Sequence, residues 1–136
     1  MSGPTIIIAE KNHLSRTRMA LAFAERNHFV KTTGSAAYLM QNLLHGGLSV
    51  VVLGVGLYEG LSLTTLIQLL KSCDPHSTII LVSDDVSPTE EVKVRQQGIF
   101  YRTNRPICAL GWDELQQAVD CACNKIRLRT TPFRSH

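Results

Sequence analysis

Apolar runs and stretches of helical period alternate along the whole chain. Thr5 to Ala9 (TIIIA), Leu48 to Leu53 (LSVVVL) and Thr78 to Val82 (TIILV) are short and rich in β-branched residues, with no polar alternation. That is the pattern of strands buried on both faces of a parallel sheet. Leu14 to Arg26 reads as the helix after the first run, and a weaker strand follows at about His28 to Thr32. Gly34-Ser35 then opens a helix whose apolar face falls at Ala36, Leu39, Met40, Leu43 and Leu44, and His45-Gly46-Gly47 stops it. Leu63, Leu66, Ile67 and Leu70 give an i, i+3, i+4, i+7 stripe that ends at the Asp74-Pro75 turn signal. Ser87-Pro88-Thr89-Glu90 has the form of a capping box with proline at the first helical position, so a helix begins there and runs to Gly98. Its few apolar residues, Val92 and Val94, predict a loosely packed, solvent-facing element. A short strand at Ile99 to Arg102 follows. The last helix, from Trp112 or Asp113 to about Arg127, presents Leu115, Ala118, Val119, Ala122 and Ile126 on one face.

Five strands alternating with five helices imply an α/β fold, a parallel sheet covered on both faces by right-handed crossovers. The 136 residues suffice for one domain with a real core, and 44% hydrophobic with 18% charged residues is a globular balance. No repeat or linker interrupts it, which predicts one domain over residues 1–128 and a polar tail over 129–136. Cys73, Cys108, Cys121 and Cys123 lack zinc-type spacing and read as reduced thiols. The net charge of +3 is partly carried by Arg127, Arg129 and Arg134, which favours a solvated terminus over a nucleic-acid surface. The apolar runs are far too short to span a membrane, and Thr5 to Ala9 is too brief for a signal peptide. A cytoplasmic location is the expectation.

The third strand carries the most informative position. A parallel strand ends at the sheet's carboxyl edge, where open α/β folds place their chemistry. Here the strand ends in Gly54-Val55-Gly56, which offers no carboxylate, hydroxyl, thiol or imidazole. His13, His28, His45, His76 and His136 are scattered, with no nucleophile elbow beside them. Lys11-Asn12-His13-Leu14-Ser15-Arg16 is not a flavin phosphate loop, with Ser15 and Thr17 reading as solvent-side or capping residues, and no G-x-G-x-x-G follows. No catalytic residue, metal site or cofactor is expected.

The order of elements from Thr5 to Ile126, with Glu10-Lys11, Gly54, Ser83 and Arg105-Pro106 at successive strand ends, resembles the receiver domain of bacterial two-component response regulators. Arg16 and Gly98 also fit family positions. The resemblance implies a flavodoxin-like three-layer sandwich with five parallel strands in the order 2-1-3-4-5 and five helices. It equates Glu10-Lys11 with the acidic pair that holds magnesium, Gly54 with the phosphorylated aspartate, Ser83 with the hydroxyl that bonds the phosphoryl group, and Arg105-Pro106 with a Lys-Pro pair often joined by a cis peptide. The loop Val55 to Gly60 is about two residues shorter than the family's. Only Glu10 remains as an anionic ligand for magnesium, and the nucleophile itself is missing at Gly54. Asp84 and Asp85 read as solvated loop acids. Glu10, Lys11 and Arg105 form the charge constellation of the pocket, with Glu10 neutralised by Lys11 or Arg105, or else with Lys11 simply pointing to solvent at the strand's end.

The resemblance therefore implies a non-enzymatic signalling domain of a phosphorelay whose own phosphorylation is lost, a pseudo-receiver acting through protein–protein contact. The family's output surface falls here on Thr89 to Gln97, Ile99 to Arg102 and Asp113 to Arg127, with Val92, Arg95 and Tyr101 as candidate contacts for a protein partner or a homodimer. No membrane or nucleic-acid partner is expected. Two alternatives stand beside this reading: an anion- or nucleotide-sensing pocket built from Lys11, Ser83 and Arg105, and a conventional phosphorylated regulator.

Overall fold

The computed structural model describes residues 4–54, 56, 60–84 and 86–130. Strands and helices alternate through these residues as β1 (Thr5–Ala9), α1 (His13–Ala24), β2 (Phe29–Thr33), α2 (Ala36–Leu44), β3 (Ser49–Gly54), α3 (Leu63–Cys73), β4 (Thr78–Val82), α4 (Pro88–Gln96), β5 (Tyr101–Thr103) and α5 (Ala109–Thr130). The strands form one parallel sheet in the order β2-β1-β3-β4-β5. This is the flavodoxin-like arrangement. Expectations attached to Val55, Tyr58, Glu59, Asp85 and the tail beyond Thr130 lie outside the described residues.

The strand pleat divides the core in two. Ile6, Ile8, Val50, Val52, Ile80 and Val82 point to one face, where Met19 and Phe23 of α1 and Leu115, Val119, Ala122 and Ile126 of α5 cover them. Ile7, Ala9, Val51, Leu53, Ile79 and Leu81 point to the other, under Leu39 and Leu43 of α2, Leu63, Leu66, Ile67 and Leu70 of α3 and Val94 of α4. Central strands that are apolar at every position therefore feed both layers at once, which is why alternation is missing from their sequence.

Local signals explain most boundaries. Asn12, Ser35, Ser62 and Ser87 cap α1 to α4, each side chain accepting a hydrogen bond from the backbone N–H three residues on. Gly98 follows α4 with φ +93°, a conformation that glycine adopts without strain. Several bounds differ from the sequence reading. Leu44 turns outward and is 65% exposed, because α2 buries only the two residues nearest the sheet. The third strand begins at Ser49 and runs through Gly54, leaving Leu48 exposed before it. α1 stops at Ala24, since Asn27 takes a left-handed φ of 65° to turn the chain into β2. The fifth strand sits later, at Tyr101–Thr103, although the Phe100 N–H already donates to Ile79 O at 2.8 Å. α5 begins at Ala109, before Trp112: the Trp112 N–H donates to Cys108 O at 3.1 Å, a helical bond that Gly111 and Pro106 hide from a propensity reading.

On α4, Val94 is fully buried while Val92 is 56% exposed, so a single side chain anchors the helix to the sheet. Val94→Ala is expected to lower stability by about 2 kcal/mol in urea denaturation, whereas Val92→Ala stays within about 0.5 kcal/mol of the parent. Equal losses for the two variants would contradict this placement.

Candidate functional site: a pocket closed by Glu10

The sheet register sets Ala9 beside Leu53, and Gly54 beside Val82, so Glu10, Gly54 and Ser83 meet at the carboxyl edge of β1, β3 and β4. Arg105 arrives from the connection after β5. Of these residues Glu10 has the most unusual setting, a carboxylate only 1% exposed. A buried charge is tolerated only when it is paired and hydrogen-bonded. Both oxygens are satisfied: Oε1 accepts from Arg105 Nη2 at 3.2 Å and Oε2 accepts from the Asn12 backbone N–H at 2.9 Å. The backbone of Glu10 is fixed as well, its N–H donating to Thr33 O at 3.0 Å and its carbonyl accepting from Arg16 Nη1 at 2.8 Å.

This geometry accounts for the glycine. Gly54 is buried at the end of β3 and does not have a left-handed φ, so the backbone itself does not demand glycine. The demand is steric. A Cβ at position 54 would overlap Glu10 Oε1 and lie 2.7 Å from Glu10 Cδ and 3.3 Å from its Cβ. The Glu10 side chain thus takes the space in which a residue at 54 would project, and Arg105 holds it there.

Arg105 supplies the neutralising cation, as one of the two pairings read from the sequence. Its backbone N–H donates to Asp84 Oδ1 at 2.8 Å, which ties the β5–α5 connection to the loop after β4. The Arg105–Pro106 peptide is trans. Lys11 is exposed at the rim. Ser83 is 2% exposed, and its N–H donates to Thr103 O at 2.9 Å. The Glu10 carboxylate already takes up the Arg105 charge that an anion bound at Lys11, Ser83 and Arg105 would need. Among the described residues no group of three or more His, Cys, Asp or Glu side chains is placed to hold a metal ion.

A second set of contacts links the pocket to α4. Arg102 Nη2 donates to Ser83 O at 3.1 Å, and its Nη1 lies 3.7 Å from Glu91 Oε1. Glu91 Oε2 in turn accepts from Arg95 Nε at 3.1 Å. The sequence reading placed Arg95 correctly on α4 and missed Arg102, which reads as an ordinary surface-strand arginine until the strand order sets it beside β4. Arg102 and Asn12 are the positioning residues that the motif comparison did not single out. Tyr101 is 38% exposed and donates through its hydroxyl to Glu114 Oε2 at 2.7 Å. That hydrogen bond, helped by burial and by the Glu114 charge, raises the phenol above its ordinary pKa. Val92, Arg95 and Tyr101 are therefore outside the pocket, on the neighbouring α4 and β5 surface.

The contact between Gly54 and Glu10 has a measurable signature. Gly54→Ala is expected to cost about 1–3 kcal/mol in chemical denaturation by displacing the carboxylate. In a Glu10→Ala background the same change should cost less, with a coupling of at least about 0.5 kcal/mol. Identical costs in the two backgrounds would show that the side chains do not compete for one space.

No protein-family model and no curated protein sequence matches the chain. Solved structures do. The chain is similar to the signal receiver domain of an HD domain-containing protein from Pseudomonas fluorescens, with 18% identity, TM-score 0.81 and coverage of 95% of this chain and 93% of that one. It is also similar to a response regulator from Thermotoga maritima, at 16% identity and TM-score 0.75, covering 90% and 98%. A third likeness is to the beryllofluoride-activated NtrC4 receiver domain dimer, at 15% identity and TM-score 0.77, again covering 90% and 98%. With the strand order, the helix layers and the position of the pocket, these likenesses establish that the chain has the fold of a response-regulator receiver domain.

Proposed function

We propose that this chain is a pseudo-receiver: a signalling domain of a two-component or phosphorelay pathway in the cytoplasm that is not phosphorylated itself and acts by binding protein. The observation that carries the reading is the Glu10 carboxylate packed over Gly54 and bonded to Arg105 and Asn12. Phosphoryl transfer to a receiver needs an acceptor carboxylate and carboxylates for the metal, and here the one carboxylate buried among the described residues already has both oxygens bonded within the protein. The pocket is held in a single state by internal charges. The role is non-enzymatic.

The surface of α4, β5 and α5 supports protein contact. On α5, Leu110, Glu114, Cys121 and Leu128 recur at helical spacing on one stripe, and Leu110 and Leu128 are 80% and 79% exposed. Glu114 is the residue bonded to Tyr101, so this stripe borders β5, with Val92 exposed on α4 beyond it. A second copy of the chain is the first partner to test.

Two measurements address the reading. Incubation with acetyl phosphate and magnesium, followed by intact-mass spectrometry, should leave the mass unchanged; a gain of one phosphoryl group would overturn it. In sedimentation equilibrium, Leu110→Glu and Val92→Glu are each expected to weaken self-association tenfold or more. A dimer indifferent to both substitutions would put the contact on another face.

A further inference from the structure

A cleft of about 180 Å³ lies between α1 and the connection that leads from β5 into α5. Most of its wall is apolar. Met19 of α1 and the half-buried Trp112 of α5 both pack on the core and form its deep part, while Pro106 and Ile107 make the rim, with Ile107 92% exposed. The rim is fixed from two sides: the Arg105 N–H donates to Asp84 Oδ1, and Pro106 lies so close to α5 that a Cβ on Gly111 would come within 3.1 Å of the proline Cα. A preformed apolar hollow with a few polar groups is the usual form of a small-ligand site.

The polar groups come from α1. Ser15, Arg18 and Met19 share one helix face, and Met19 turns that face toward α5. Side chains on a helix lean toward its amino end, so Arg18 leans over the turn that holds Ser15, the end of α1 nearest the β5–α5 connection. Among the described residues neither the Arg18 guanidinium nor the Ser15 hydroxyl has a hydrogen-bond or ion-pair partner. Arg105, the other cation of the wall, is already paired with Glu10, and no aspartate or glutamate lines the cleft. One positive charge is left uncompensated there, which matches a monoanion.

The geometry points to a binding site for a small aromatic carboxylate, with its ring against Met19 and Trp112 and its carboxylate on Arg18 and Ser15. The volume suits one ring with a short acidic side chain, since a cavity of about 150 Å³ already takes up benzene. An aromatic ring packs on the indole face and beside the methionine sulfur, and a planar guanidinium takes both oxygens of a carboxylate. The site makes no use of the Glu10 carboxylate. Its failure would leave the signalling role proposed above untouched, and the reverse holds as well.

The test is a titration of the ¹⁵N-labelled full chain, at fixed pH and ionic strength, with phenylacetate and separately with indole-3-acetate. Phenylacetamide, which keeps the ring without the charge, and acetate, which keeps the charge without the ring, are the controls. Trp112 is the single tryptophan of the chain, so its indole N–H gives one unambiguous signal. Saturable shifts of that signal and of the Ser15, Arg18 and Ile107 amides are expected with at least one of the two acids. Both controls should bind about tenfold more weakly or less, the worth of one charge-assisted hydrogen bond. Arg18→Gln removes no internal contact and should keep the folded spectrum while weakening binding by a similar factor; Arg18→Lys should restore part of it. No saturable shift with either acid would overturn the proposal, as would phenylacetamide binding as tightly as phenylacetate or an affinity unchanged in Arg18→Gln.

Discussion

A carboxylate buried at the end of a parallel sheet must be neutralised, and that requirement organises the carboxyl edge of this protein. Glu10 leaves β1 into a volume where water has almost no access, and an unpaired ion there costs several kcal/mol. The Arg105 guanidinium and the Asn12 N–H meet the cost. Each of these partners fixes a connection: Asn12 is also the cap of α1, and Arg105 is also bonded through its backbone to Asp84. The loops after β1, β4 and β5 are thereby joined, through the side chains of Glu10 and Asp84 and the residue Arg105 that both contact. Gly54 is the complement of that arrangement, since any larger residue would claim the space the carboxylate fills.

This changes the meaning of the glycine. By sequence resemblance alone, Gly54 reads as the place of an acceptor aspartate and suggests an empty pocket. In the folded protein the pocket is closed from within, by a residue one strand away. The Arg102 contacts to Ser83 and Glu91 extend the same fixed geometry toward α4, whose attachment to the sheet otherwise rests on Val94.

Much of the fold is legible in the sequence because its physics is local. Thr5–Ala9 and Thr78–Val82 are readable from their β-branched apolar runs, and the stripes Leu63, Leu66, Ile67, Leu70 and Leu115, Ala118, Val119, Ala122, Ile126 are buried as their period implies. What failed depends on partners distant in the chain. β5 was displaced because its short segment is defined by pairing to β4, and the start of α5 was missed because Gly111 weakens the local signal. At the site, motif position placed Glu10, Gly54, Ser83 and Arg105 at one edge. It left open whether Lys11 or Arg105 pairs with Glu10, because that choice turns on the path of the chain after β5, and it gave no hint that the Glu10 side chain lies over Gly54.

The most direct measurement of the central claim is a titration of the ¹⁵N-labelled chain with beryllofluoride and magnesium, followed at the amides of Glu10, Gly54, Ser83 and Arg105. A pocket closed by Glu10 predicts no saturable shift at any of them. Saturable, magnesium-dependent shifts at these amides would show that the site still accepts a phosphoryl mimic, and would contradict the account.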